Sequence, residues 1–129
     1  QVKPTPFYEG DISKGIKHLM EAQPSCSLKI PFMEECDLAY RSTDEAMSPE
    51  VMAGTIVFLK QTGVEAIIPG GLYVIVCANY VILRRVRVVE QELGRSLRLE
   101  AANPTYDTIT IGENQVVEIY RVVGNLKMY

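Results

Sequence analysis

Apolar residues alternate or cluster over short stretches along most of this chain. Leu28 to Phe32, Asp37 to Ser42, Thr55 to Gln61, Leu72 to Ala78, Tyr80 to Val89, Ser96 to Ala102, Thr108 to Ile111 and Val116 to Val123 are rich in Val, Ile, Leu and Tyr. Branched and aromatic side chains suit a pleated, half-buried surface, so each stretch is predicted to be a strand. The residues between them carry turn chemistry. Pro69-Gly70-Gly71 precedes Leu72, Ala78-Asn79 fits a tight hairpin turn, and Gly94, Asn103-Pro104 and Gly112-Glu113-Asn114 punctuate the rest. Nearer the start the period changes. Ile12, Ile16, Leu19 and Met20 make one apolar stripe with Lys14, Lys17 and Glu21 between them, which predicts a short helix ended near Pro24, with Gly15 as its weak point. Ser48-Pro49-Glu50 predicts one further helical turn, with serine as its cap and proline in the first helical position. Many short strands with one or two small helices predict a mostly β domain, coiled or barrel-like, without internal repeats.

The first dozen residues, with Pro4, Pro6 and Gly10, read as an arm that gains order only by packing on something else. The expected division is therefore an arm with the short helix over 1–27 and the domain proper over 28–129. A length of 129 residues fits one domain. The start, Gln1 to Tyr8, has no apolar core of a signal peptide and no initiating methionine, as expected of a fragment cut from a longer protein. No stretch is apolar for long enough to suggest a membrane span, and no membrane partner is expected. The formal net charge of −3 argues against direct nucleic-acid binding by this chain. Cys26, Cys36 and Cys77 show no paired spacing and His18 stands alone, so neither a metal nor a cofactor is expected. Reduced, buried thiols and a cytoplasmic location are the simplest expectation.

Five segments in order carry a resemblance. They are Ala46-Met47-Ser48-Pro49, Gly54-Thr55-Ile56-Val57, Pro69-Gly70 with Tyr73-Val74, Leu83-Arg84-Arg85-Val86 and Asn103-Pro104-Thr105-Tyr106. Together they resemble the C-terminal domain of the LexA-like family, with its phage repressors, UmuD-type proteins and signal-peptidase-like fold. The resemblance implies a coiled β domain in which a serine attacks the protein's own linker while a neutral lysine takes the proton. Here the serine place holds Ala46 and the lysine place holds Arg84. A methyl group cannot attack, and a guanidinium stays protonated at ordinary pH. Asp44 stands where the family motif usually has glycine, and the arm offers Glu9-Gly10 and Lys14-Gly15 rather than Ala-Gly or Cys-Gly. Ser48 is a weak substitute nucleophile, since the cap role explains it without chemistry. No catalytic residue is expected, and the degenerate groove would be bordered by Asp44, Glu45, Met47 and Pro49.

Strand alternation puts Arg84 with Ile82, Val86 and Val88 on an apolar face, where a charge needs a partner. Asp44, Glu45 and Asp37 are the candidates. Arg85, Arg87, Arg95 and Arg98 make either a basic patch or a solvated strand face, and Glu34, Glu35 and Asp37 read as solvated carboxylates. Leu126, Met128 and Tyr129 either pack on the domain's own core or form an interface, and the resemblance implies a homodimer. It further implies a bacterial or phage transcriptional regulator that meets DNA through an N-terminal helix-turn-helix domain absent from these residues. Two rivals stay open. One is an active self-cleaving serine peptidase carrying a change at Ala46, and the other a UmuD-like accessory module that binds a regulatory protein partner.

Overall fold

A computed structural model describes residues 3–31 and 34–127. Among the described residues nine strands form one sheet: β1 (Thr5–Tyr8), β2 (Cys26–Leu28), β3 (Leu38–Arg41), β4 (Ile56–Thr62), β5 (Gly71–Cys77), β6 (Val81–Gln91), β7 (Gly94–Glu100), β8 (Ile109–Gly112) and β9 (Val116–Leu126). Their spatial order is β2-β1-β3-β4-β9-β5-β6-β7-β8, so the sheet is open, with β2 and β8 at its edges. β1 and β3 run parallel, and every other neighbouring pair is antiparallel. The mostly β expectation holds. Ala78-Asn79 makes the tight turn into β6, closed by a 2.8 Å bond from Cys77 N–H to Tyr80 C=O.

β5 shows why an unbroken apolar run is needed at the centre of the sheet. Val74 and Val76 join a cluster with Ile16, Leu38, Val57, Leu83 and Tyr120, while Tyr73, Ile75 and Cys77 join another with Val86, Leu97, Leu99 and Ile119. Both faces of this strand are therefore dry, which is the condition that removes polar alternation from a sequence. A third cluster, Phe7, Ala39, Ile56 and Phe58, lies under Leu28, Ile30 and Val123.

The helix is much shorter than the stripe suggested. Only Ile16–Leu19 (α1) is helical, because Gly15 adopts φ +102°, a left-handed conformation that stops the helix from extending toward Ile12. The stripe itself faces the core, since Ile16 and Leu19 are buried and Ile12 and Met20 pack against the same cluster. The strand predicted over Leu28 to Phe32 shares only Leu28 with β2, which runs Cys26–Leu28 where pairing with β1 sets its extent; Lys29 to Pro31 are not strand, and Phe32 lies outside the described residues. Ser48-Pro49 starts no helix. That segment is a run of turns in which Ser48 N–H donates to Glu45 C=O and Val51 N–H to Met47 C=O.

The arm contains a strand that propensity did not announce, because Pro4 and Pro6 hide it. β1 lies between β2 and β3 and buries Phe7 and Tyr8. Its place in the sheet has an energetic consequence. Phe7→Ala should lower stability by about 3–5 kcal/mol, as for a core aromatic, and a urea midpoint that barely moves would show β1 to be dispensable.

Candidate functional site

β3 ends at Arg41, and the chain turns back toward β4 through Ser42, whose N–H donates to Thr55 C=O at 2.9 Å and whose C=O accepts from Gly54 N–H at 2.6 Å. Gly54 makes this return at φ +94°. Asp44 sits at the apex. Its backbone N–H donates to Ser42 Oγ (3.3 Å), and its Oδ1 accepts the Ala46 N–H (2.9 Å), a local side-chain turn that only a short acceptor can make. An aspartate therefore shapes the turn.

The other carboxylate oxygen reaches across to β6. Asp44 Oδ2 accepts the Leu83 N–H at 3.0 Å and Arg84 Nη1 at 3.2 Å. Arg84 is 5% exposed, and the same Nη1 also donates to Leu83 C=O at 2.8 Å. Of the three carboxylates that could partner Arg84, the structure selects Asp44; Asp37 instead accepts the Gln61 N–H, and Glu45 is exposed. Arg84 Nε is buried without a hydrogen-bond partner among the described residues.

A second loop completes the site. Asn103 N–H donates to Ala46 C=O (2.8 Å), and Asn103 Nδ2 to Glu45 C=O (3.2 Å). Its Oδ1 accepts from both Thr105 N–H and Thr105 Oγ1, closing a turn that carries the Tyr106 ring to 5.6 Å from the Arg84 guanidinium carbon. That separation is within the range of a cation–π contact. The Asn-Pro-Thr-Tyr segment thus ties the Ala46 segment down and covers the arginine. Sequence reading noticed the motif without its role, because nothing in the chain says which backbone an asparagine will meet.

Ala46 and Arg84 are therefore gathered around one carboxylate. The remaining groove residues are split. Met47 is wholly buried in the core, Glu45 and Pro49 are exposed, and Ser48 is half-buried. A cleft of about 360 Å³ lies alongside, between Asp11 and Ser13 on one wall and Tyr40, Asp44, Val81 and Leu83 on the other. The basic residues of β6 and β7 are matched locally: Arg85 pairs with Glu50, Arg87 and Arg98 share Glu100, and Arg95 lies near Glu90 and Glu113. This is a neutralised strand face. His18 is exposed beside Glu21, and no cluster suited to a metal occurs among the described residues.

The five segments seen in sequence now share one fold and, in part, one site, and the model of the family described as Peptidase S24-like matches residues 6–124. The chain belongs to that family. This is the family of the C-terminal domains of LexA, UmuD and phage repressors, and the nine-stranded open sheet agrees with it. No curated protein matches the chain. Within this Peptidase S24-like domain, Ala46 contributes a buried methyl group and Arg84 a permanent cation, so neither supplies a nucleophile or a base.

Two predictions follow from the geometry. Asp44→Ala leaves the Arg84 charge buried without its counter-ion and should cost about 3–5 kcal/mol, whereas the double change Asp44→Leu with Arg84→Met should recover most of that loss. A double-mutant cycle by urea denaturation measures the coupling, and additive effects would refute it. The second concerns tyrosines. Burial pushes the Tyr40 phenol above its ordinary value of 10.0; a hydrogen bond with Ser42 pulls it back in part, and the Asp44 charge raises it. Burial and the Glu118 carboxylate that accepts its hydroxyl raise Tyr120 in the same direction. A raised folded value means that the folded state holds these protons more firmly than the unfolded chain does. Their contribution is whole below the unfolded value, about 10, and is lost as pH climbs from there toward the folded values. Urea midpoints should hold steady up to that pH and fall beyond it, with a shallower fall in Tyr40→Phe.

Proposed function

We propose that this chain is the dimerising, regulatory C-terminal domain of a helix-turn-helix transcriptional regulator, in which Ala46 and Arg84 have replaced the serine and lysine of a self-cleaving dyad. The observation that carries this reading is the Asp44–Arg84 ion pair at the Ala46 segment. A lysine base works only when desolvated and neutral, whereas this site holds a cation by giving it a carboxylate. The two positions that would have to cooperate in hydrolysis are instead held around the Asp44 carboxylate.

Dimerisation is supported by β9. β5 pairs with it from Val116 to Arg121, and beyond Arg121 β9 pairs with β4, so among the described residues no strand pairs with Val122 to Leu126 on the other side. Leu126 on that stretch is 37% exposed. Two copies brought together there would hold two weak DNA-reading modules at a fixed spacing, raising avidity without a base contact from this domain. Work in the cytoplasm accords with three free thiols.

Solution mass and chemical integrity test the reading together. At tens of micromolar, light scattering should give twice the chain mass, and incubation of the chain with its native upstream segment at alkaline pH should leave the intact mass unchanged. A monomer would remove the dimerising role, and a new N-terminus found by mass spectrometry would establish a working peptidase. A reading frame that starts near Gln1 with no helix-turn-helix upstream would favour the accessory-module reading instead.

A further inference from the structure

β6 outruns β7. The two strands pair from Arg85 with Glu100 to Gln91 with Gly94, so Val81–Arg84 lie past the last β7 partner and have β5 on one side only. A strand edge in that condition offers N–H and C=O groups to any extended segment that reaches it. At Leu83 both groups are already taken. Its N–H donates to Asp44 Oδ2, its C=O accepts from Arg84 Nη1, and the two side chains that take them are bonded to each other.

We infer that the Asp44–Arg84 pair is a built-in stopper on this edge, an autoinhibitory contact that keeps an extended peptide from pairing with β6 beside Ala46. The donors converging on Asp44 are Ala46 N–H, Leu83 N–H and Arg84 Nη1, two backbone amides and one cation. The unpartnered Nε of Arg84 belongs to the same guanidinium and is buried with it. Such a set suits a carboxylate, whose two oxygens accept several charge-assisted bonds at once. The stopper is thus a carboxylate in an anion cradle, tethered so closely that a free competitor cannot match its local concentration. Shortening Asp44 should turn the cradle into a site for a small carboxylate such as acetate. This deepens the proposed function, on which it rests for the meaning of Ala46: the groove is shut by the protein's own side chain, and it does not survive as a dead peptide site.

Amide exchange and acetate titration, followed by NMR on the whole chain, test the stopper. In the unaltered protein, Leu83 N–H should exchange about as slowly as residues of β6 that are paired to β7, such as Arg87, within on the order of tenfold. Acetate should leave its Leu83 and Ala46 signals in place. In Asp44→Ala, acetate should shift both signals saturably and raise Tm by several degrees, while chloride at equal ionic strength does neither. Fast exchange at Leu83 in the unaltered chain would overturn the inference, as would acetate binding there without the mutation, or a folded variant that treats acetate and chloride alike. If the alanine variant fails to fold, Asp44→Asn replaces it: there Leu83 should exchange on the order of tenfold faster, and unchanged exchange defeats the idea. A dimer whose Leu83 exchanges freely would sink the stopper and leave the regulatory reading standing. A self-cleaving chain with a protected Leu83 would do the reverse.

Discussion

A guanidinium placed on a dry strand face must be neutralised, and the arrangement around the site follows from how this is done. Arg84 is delivered by β6 with little freedom to turn away, because β5 fixes the strand on one side and the apolar side chains of Val86 and Ile82 share its face. One carboxylate then has to come to it. Asp44 does so from the loop after β3, and in reaching β6 it also fixes the position of Ala46 and caps Leu83. The Asn103 loop closes over the same spot and brings an aromatic ring to the cation. Three separate parts of the chain are thus held together by a charge that none of them could bury alone.

That economy explains how a Peptidase S24-like fold accommodates a cation, a carboxylate and a methyl group in one place. A serine–lysine dyad needs a neutral amine beside a hydroxyl, two groups that gain from being dry and close. The present site has a permanent cation, a carboxylate and a methyl group, which are stable in the same space only if charge is balanced and every amide nearby is given an acceptor. Asp44 supplies both. The geometry of the turn, in which one oxygen serves the loop and the other serves the strand, depends on a side chain of aspartate's length.

Much of this was visible in the sequence, and the exceptions have physical causes. Strands from β3 to β9 were legible because they are buried by alternation or by continuous apolar runs, as in Leu72 to Cys77, and because glycine and asparagine mark their turns. β1 was hidden by two prolines, since local preference cannot report that a short segment will find a partner on each side. The helical stripe was read too long, because a left-handed glycine delays the start of the helix without disturbing which residues face the core. The need of Arg84 for a carboxylate followed from alternation alone. Which carboxylate answered did not, since that depends on where the loops carry Asp37, Asp44 and Glu45. Tyr106 over the arginine was beyond sequence reading for the same reason: it depends on a turn set by Asn103, whose bonding partners are distant in the chain.

The position of β9 has a consequence for how such a protein comes into being. β4 and β5 are neighbours in sequence but do not pair; β9, which follows the β6–β8 meander in the chain, lies between them. A growing polypeptide leaving the ribosome can therefore assemble its two flanks early, yet they remain unjoined until the final long strand emerges to bridge them. Contacts so distant along the chain form slowly, and the gap between the flanks is an exposed template for mispairing while it stays empty. A chain that stopped after β8 but before Val116 would hold two half-sheets with raw borders, so the joining of the sheet waits on β9.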